Sequence, residues 1–132
     1  MAVIKAEGRR EFFNTYMRFW AISEGFTDRE VMVAAEFLYY LDRYKHTPLK
    51  KEVEDVDDDG NLVVIVQDMT LREQLMDKRT LRMITTQLDM SFSVFRKYVK
   101  GLVEKGFFSK GEIASKFIPS DNYVGTFKVQ LK

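Results

Sequence analysis

Apolar positions along the chain fall into helical stripes separated by extended runs. Between about Glu7 and Ser23, Phe12, Phe13, Tyr16, Met17 and Trp20 recur at spacings of three, four and eight. That spacing predicts an amphipathic helix with one wide aromatic face, leaving Arg9, Arg10, Glu11 and Arg18 for water. The face either completes the core or meets a second copy or another protein. A helix this aromatic exceeds what one small core needs, so Phe12, Tyr16 and Trp20 are candidate partner contacts. Gly25 breaks the chain. Thr27 to Glu30 reads as a capping box, the threonine oxygen taking the third amide and the glutamate returning to the cap's own amide. The helix it opens runs to about Tyr44, with Val31, Ala34, Ala35, Leu38 and Leu41 inward, and Pro48 prevents its continuation.

The pattern then changes period. Asp59-Gly60 is a turn signal and Leu62–Val66 is a β-branched run, which predicts a strand and a hairpin with Lys50–Val56. Thr70 to Glu73 is a second capping box, opening a short helix to about Met76. Another helix covers roughly Lys78–Leu88, with Leu81, Ile84, Thr85 and Leu88 inward. Asp89 and Met90 form a tight turn, and Ser91 caps a helix over about 91–105 whose buried positions are Phe95, Val99 and Leu102. Lys105 suits the last turn, and Gly106 stands where a left-handed stop is wanted. Phe107 and Phe108 begin a strand, with Ser109–Lys116 as the hairpin loop beside it. In the tail, Phe127, Val129 and Leu131 alternate with Lys128, Gln130 and Lys132, the pattern of a half-buried strand.

Composition narrows the classes. A chain of 132 residues with 45% hydrophobic content favours one domain with a real core. No apolar run approaches the roughly 20 residues needed to cross a bilayer, and the first residues turn charged at once, unlike a secretory leader. The absence of cysteine removes disulfides, thiolate zinc sites and a cysteine nucleophile, and fits the cytoplasm. A net charge of +1 argues against a general polyanion binder, yet the charge is unevenly placed. Residues 91–118 carry Arg96, Lys97, Lys100, Lys105, Lys110 and Lys116 against Glu104 and Glu112, a local excess of four positive charges. Residues 45–69 carry Lys45, Lys50 and Lys51 against Glu52, Glu54, Asp55, Asp57, Asp58, Asp59 and Asp68, an excess of four negative charges.

The outward positions of the helix over 91–105 are Phe92, Ser93, Arg96, Lys97 and Lys100. Polar residues near the start and cations further along are what a helix in a major groove requires, for base edges and for phosphates respectively. The run LDMSFSVFRKYVKGLVEKGFF, residues 88–108, resembles winged helix-turn-helix domains: small turn, serine cap, basic helix, lysine-glycine, wing. The order of elements agrees over residues 27–131. The resemblance implies an α+β, mostly α fold, a winged helix-turn-helix with an extra N-terminal helix and a small β-hairpin wing. It further implies DNA binding through Ser93, Arg96, Lys97 and Lys100, with Lys110 and Lys116 in the wing. The short cysteine-free chain with KFIPSDN after the wing also resembles small proteins of bacteriophage genomes. Three features depart from the pattern, the first being the long acidic insert, which would repel DNA if it lay on the same side. Phe92 is apolar at an outward position, which suits a thymine methyl or a protein contact. Gly101 sits mid-helix at a cost of about 1 kcal/mol relative to alanine, the mark of another backbone passing close.

Other motifs fail on inspection. Asp55, Asp57, Asp59 and Gly60 match the first half of a calcium loop, but the twelfth position is Val66 rather than glutamate, and a strand follows where a helix is required. His46 is the sole histidine and has no partner set for zinc or for nucleophilic catalysis. The glycines of KGLVEKG lack the ending of a phosphate loop. The sequence therefore leads to a non-enzymatic chain without metal, cofactor or small-molecule substrate. Its expected organisation is an aromatic helical extension over 1–26 and a winged-helix domain over 27–132, with an acidic insert at 45–61. The expected function is a regulatory or replicative DNA-binding protein of the cytoplasm, acting as a dimer. The alternative is a structural or adaptor protein, of a virion if phage-encoded, that docks onto protein through Phe92 and the aromatic helix. About six phosphate contacts would cost roughly a thousandfold in affinity between 50 and 200 mM salt.

Overall fold

One helix is enclosed by nearly everything else. The computed structural model describes the backbone of residues 2–6, 8–119, 123–124 and 127–131, and the side chains of residues 8–119. In chain order the elements are β1 (Ala2–Ala6), α1 (Arg9–Glu24), α2 (Asp28–His46), β2 (Lys50–Val56), β3 (Leu62–Asp68), α3 (Leu71–Leu75), α4 (Lys78–Leu88), α5 (Phe92–Glu104), β4 (Phe108–Ser109), β5 (Glu112–Ile113), a 3-10 turn (Ser115–Phe117), β6 (Tyr123–Val124) and β7 (Phe127–Leu131). The chain is α+β and mostly helical. Its strands form two separate hairpins, β2–β3 and β4–β5, and a three-stranded sheet in the order β1-β7-β6.

Eleven of the 19 residues of α2 are buried. The expected stripe is there, but Val33, Phe37, Tyr40 and Tyr44 are buried as well, because α1, α3, α4 and α5 all contact this helix. Glu36 is drawn inside with them. Arg10 Nε donates to its Oε2 at 2.7 Å, and the same guanidinium lies 4.3 Å over the Tyr39 ring. A charge taken out of water needs such a partner.

The first helix is part of this core rather than an appendage to it. Phe12, Phe13, Tyr16 and Met17 share one cluster with Phe26, Phe107 and Phe117. This corrects the expectation of a partner face: Phe12 and Tyr16 are each only 2% exposed. Trp20 is half-buried, edge-on to Phe117 at 5.1 Å between ring centres. Aromatic pairs in this geometry add about 0.5–1.5 kcal/mol beyond their burial, so the excess of rings on α1 is absorbed by packing.

Helix starts follow the sequence closely. Thr27 and Thr70 each accept from the third amide while Glu30 and Glu73 return to the cap amide, completing both capping boxes. Asp77 Oδ1 accepts from the Arg79 amide to begin α4, and Ser91 Oγ accepts from the Val94 amide to begin α5. Buried Gln74 joins these helices to the β2–β3 hairpin. Its side chain accepts from the Leu49 amide at 2.6 Å and donates to the Met69 carbonyl at 2.9 Å, so one residue closes both ends of the hairpin stem. Nearby, Thr80 donates to the Gln74 carbonyl at 2.6 Å and meets the Tyr44 hydroxyl at 2.6 Å.

Beyond that stem the hairpin leaves the body. Lys50 to Val56 pairs antiparallel with Leu62 to Asp68 in continuous register. The acidic turn closes on itself, Asp57 Oδ1 accepting from the Asp59 and Asn61 amides at 3.0 and 2.8 Å. The tail forms the expected strand, β7. β7 pairs in parallel with β1 at the other end of the chain, and antiparallel with β6. The expected alternation of its side chains lies outside the described residues.

Candidate nucleic-acid interface

Two helices and a turn build the surface the sequence singled out. Asp89, at φ 52, ends α4 in a left-handed step, and the Met90 amide bonds back to the Thr85 carbonyl at 3.0 Å. Asparagine and aspartate tolerate this conformation better than other side chains. The turn redirects the chain into α5, whose Phe95 and Leu102 are buried while Val99 is half-buried. Phe95 packs on Phe37 of α2 at 5.9 Å between rings. The opposite side of α5 faces water: Phe92, Ser93, Arg96, Lys97 and Lys100 are all exposed.

Among the described residues Arg96, Lys97 and Lys100 take part in no ion pair. Three cations within five residues therefore present unneutralised charge. Arg96 lies 5.8 Å over the Phe92 ring, whose other neighbour is the buried Phe95 at 6.1 Å. The outward phenylalanine is thus seated on the helix, 42% exposed. Lys78 and Arg82 of α4, which the sequence reading did not select, are also exposed, whereas Arg79 is bonded to Asp77 at 2.8 Å. That hydrogen bond holds the Asp77 carboxyl below its ordinary range.

Two cations of the predicted basic cluster have partners. Lys105 donates to Glu30 on α2, and Lys116 donates to Glu24 at the end of α1 at 2.9 Å while lying 4.9 Å over the Phe117 ring. A carboxylate beside an ammonium cancels most of its pull on a phosphate. Lys116 accordingly straps the 3-10 turn to α1 and drops out of the set of free cations.

Lys110 stays exposed at the tip of the β4–β5 hairpin. This hairpin is shorter than the expected Ser109–Lys116 loop. Its turn is the pair Lys110-Gly111, with φ of 54 and 78, the geometry that keeps a two-residue hairpin in twist with its strands. A Cβ on Gly111 would lie 2.8–2.9 Å from the guanidinium of exposed Arg72, which can swing aside, so the positive φ is what asks for glycine there. After β5 the chain turns inward to bury Phe117 and does not extend the hairpin.

Gly101 fixes how closely α5 approaches α2. An ideal Cβ at this position would sit 2.1 Å from Glu30 Oε2. The neighbour foreseen as a backbone is a side chain: the Glu30 carboxylate also accepts from the Thr27 amide at 2.8 Å and from Lys105. Burial pushes the Glu30 carboxyl up, but these hydrogen bonds outweigh it and hold it below its usual value.

Sequence reasoning missed the surface of β2–β3. A five-residue apolar run without alternation ordinarily signals a strand buried on both faces. Here Leu62, Val64 and Val66 are 75%, 63% and 59% exposed. The mismatch between an interior pattern and an exterior position is the signal that could have found it.

No helix among the described residues is long and apolar enough to cross a membrane. Compared with protein-family models, curated proteins and solved structures, the chain matches none.

Proposed function

We propose that this chain is a winged helix-turn-helix protein that binds duplex DNA, with α5 as its recognition helix and β4–β5 as a reduced wing. The observation that carries the reading is selective pairing. Within residues 91–118, Lys105 and Lys116 are engaged by Glu30 and Glu24, while Arg96, Lys97 and Lys100 stand together, exposed, on one helix. Ser93 near the start of α5 can meet a base edge, Phe92 can meet a thymine methyl, and the three cations with Lys110 can meet phosphates. No chemical step is assigned to the protein, whose role is regulatory or replicative.

The test is a mobility shift with duplex DNA. Four unpaired cations rather than six give a salt slope of about −3.6, so affinity falls about 150-fold between 50 and 200 mM salt. Changing Arg96, Lys97 and Lys100 to glutamate abolishes the shift. No binding by the wild-type chain, or equal binding by this variant, rejects the proposal. Phe92, exposed at the head of the same face, favours a second reading in which α5 docks onto protein. Duplex binding unaffected by Phe92→Ala, together with loss of a protein contact, is its signature.

A further inference from the structure

Five of the large apolar side chains exposed on this protein sit on the β2–β3 hairpin: Val56, Leu62, Val64, Ile65 and Val66. A two-stranded hairpin is marginal in water by itself, and an exposed β-branched surface is a docking or aggregation site. Directly paired residues share a face, so the register places Val56 with Leu62, Glu54 with Val64 and Glu52 with Val66 on one side. That side is an apolar row flanked by carboxylates. The hairpin strands and turn carry Lys50 and Lys51 against Glu52, Glu54, Asp55, Asp57, Asp58, Asp59 and Asp68. Two such hairpins laid face to face would repel. The cover this surface needs is apolar and basic.

The chain itself carries such a surface. Phe92, Arg96, Lys100 and Val103 lie at i, i+4, i+8 and i+11 of α5, one exposed stripe that is apolar at both ends and cationic between. The dimensions correspond. Arg96 and Lys100 are about 6 Å apart along the helix, and Glu52 and Glu54 about 7 Å apart along the strand. Phe92 to Val103 spans about 16 Å, and Leu62 to Val66 about 14 Å. Within one chain the hairpin makes no extensive contact with α5.

We propose that two copies of this protein associate by exchanging hairpins, the β2–β3 face of each covering α5 of the other. One helix-on-hairpin contact is small beside the roughly 1,200–2,000 Å² of a stable interface. Reciprocal exchange doubles the contact and closes a two-fold dimer. The association does not depend on the DNA reading. One consequence does rest on it: α5 cannot serve partner and duplex at once, so DNA separates the copies.

Light scattering at high protein concentration and low salt tests the contact. The wild-type chain is expected at twice its own mass, returning to single mass in high salt. Val64→Lys with Val66→Lys, Glu52→Lys with Glu54→Lys, and Arg96→Glu with Lys100→Glu each yield single chains, with circular dichroism unchanged because every altered residue is exposed. Combining the last two pairs restores the dimer at unchanged net charge. A wild-type chain that stays single, hairpin variants that still dimerise, or a combined variant that stays single overturns the proposal. A chain that dimerises but, diluted to single mass, still binds no duplex refutes the DNA reading alone. A single chain that binds duplex refutes the exchange alone.

Discussion

Replacing Gly101 by alanine should weaken the protein although it improves the helix. At an unconstrained mid-helix position the exchange gains about 1 kcal/mol, and Gly101 has no left-handed φ to forbid it. The obstacle is the Glu30 carboxylate, whose Oε2 lies 2.1 Å from the new Cβ. That side chain is 5% exposed and is held through its other oxygen, Oε1, by the Thr27 amide and Lys105, so displacing Oε2 by the necessary ångström strains both bonds. Losing the capping arm costs about 0.5–2 kcal/mol, and loosening a hydrogen bond to a charged group about 1.5–3 kcal/mol. The net effect is a loss of about 1–4 kcal/mol, read as a lower urea midpoint at unchanged slope. With Glu30→Ala already in place the carboxylate is gone, and Gly101→Ala should then stabilise by about 1 kcal/mol. The change of sign between backgrounds is the diagnostic result. Stabilisation by Gly101→Ala in the wild-type chain refutes the reasoning, as do two substitutions whose effects add within about 0.5 kcal/mol.

Gln74→Met removes both hydrogen bonds at the hairpin stem and should cost about 1–3 kcal/mol, with amide exchange in β2 and β3 accelerating ahead of that in α2. Glu30 makes stability depend on acid: its folded carboxyl lies below its ordinary value of 4.5, so its contribution is complete above that value and is lost as pH falls through the folded value. Urea midpoints followed down through that range should drop less steeply for Glu30→Gln than for the wild-type chain.

Local chemistry made much of this architecture legible. The boxes Thr27 to Glu30 and Thr70 to Glu73, the caps at Ser91 and Gly106, and the Asp59-Gly60 turn depend on residues a few positions apart, and the structure places elements beside each of them. The free face of α5 was legible for the same reason, since helical period separates Phe95 and Leu102 from Ser93, Arg96, Lys97 and Lys100. Long-range partners were not. Nothing adjacent to Lys116 announces Glu24, and nothing adjacent to Gly101 announces Glu30. Gln74 reads as an ordinary polar helix residue until the stem of the hairpin closes on it.

The sequence by itself determined where helices begin, which side of each is apolar and where the cations lie, because these follow from spacing along one backbone. Tertiary structure decided which charges remain unpaired, that the rings of α1 are interior, and that the apolar run of β3 is left in water. Burial and ion pairing arise between segments distant in sequence, and only their meeting in space sets whether a side chain faces solvent, a partner or the core.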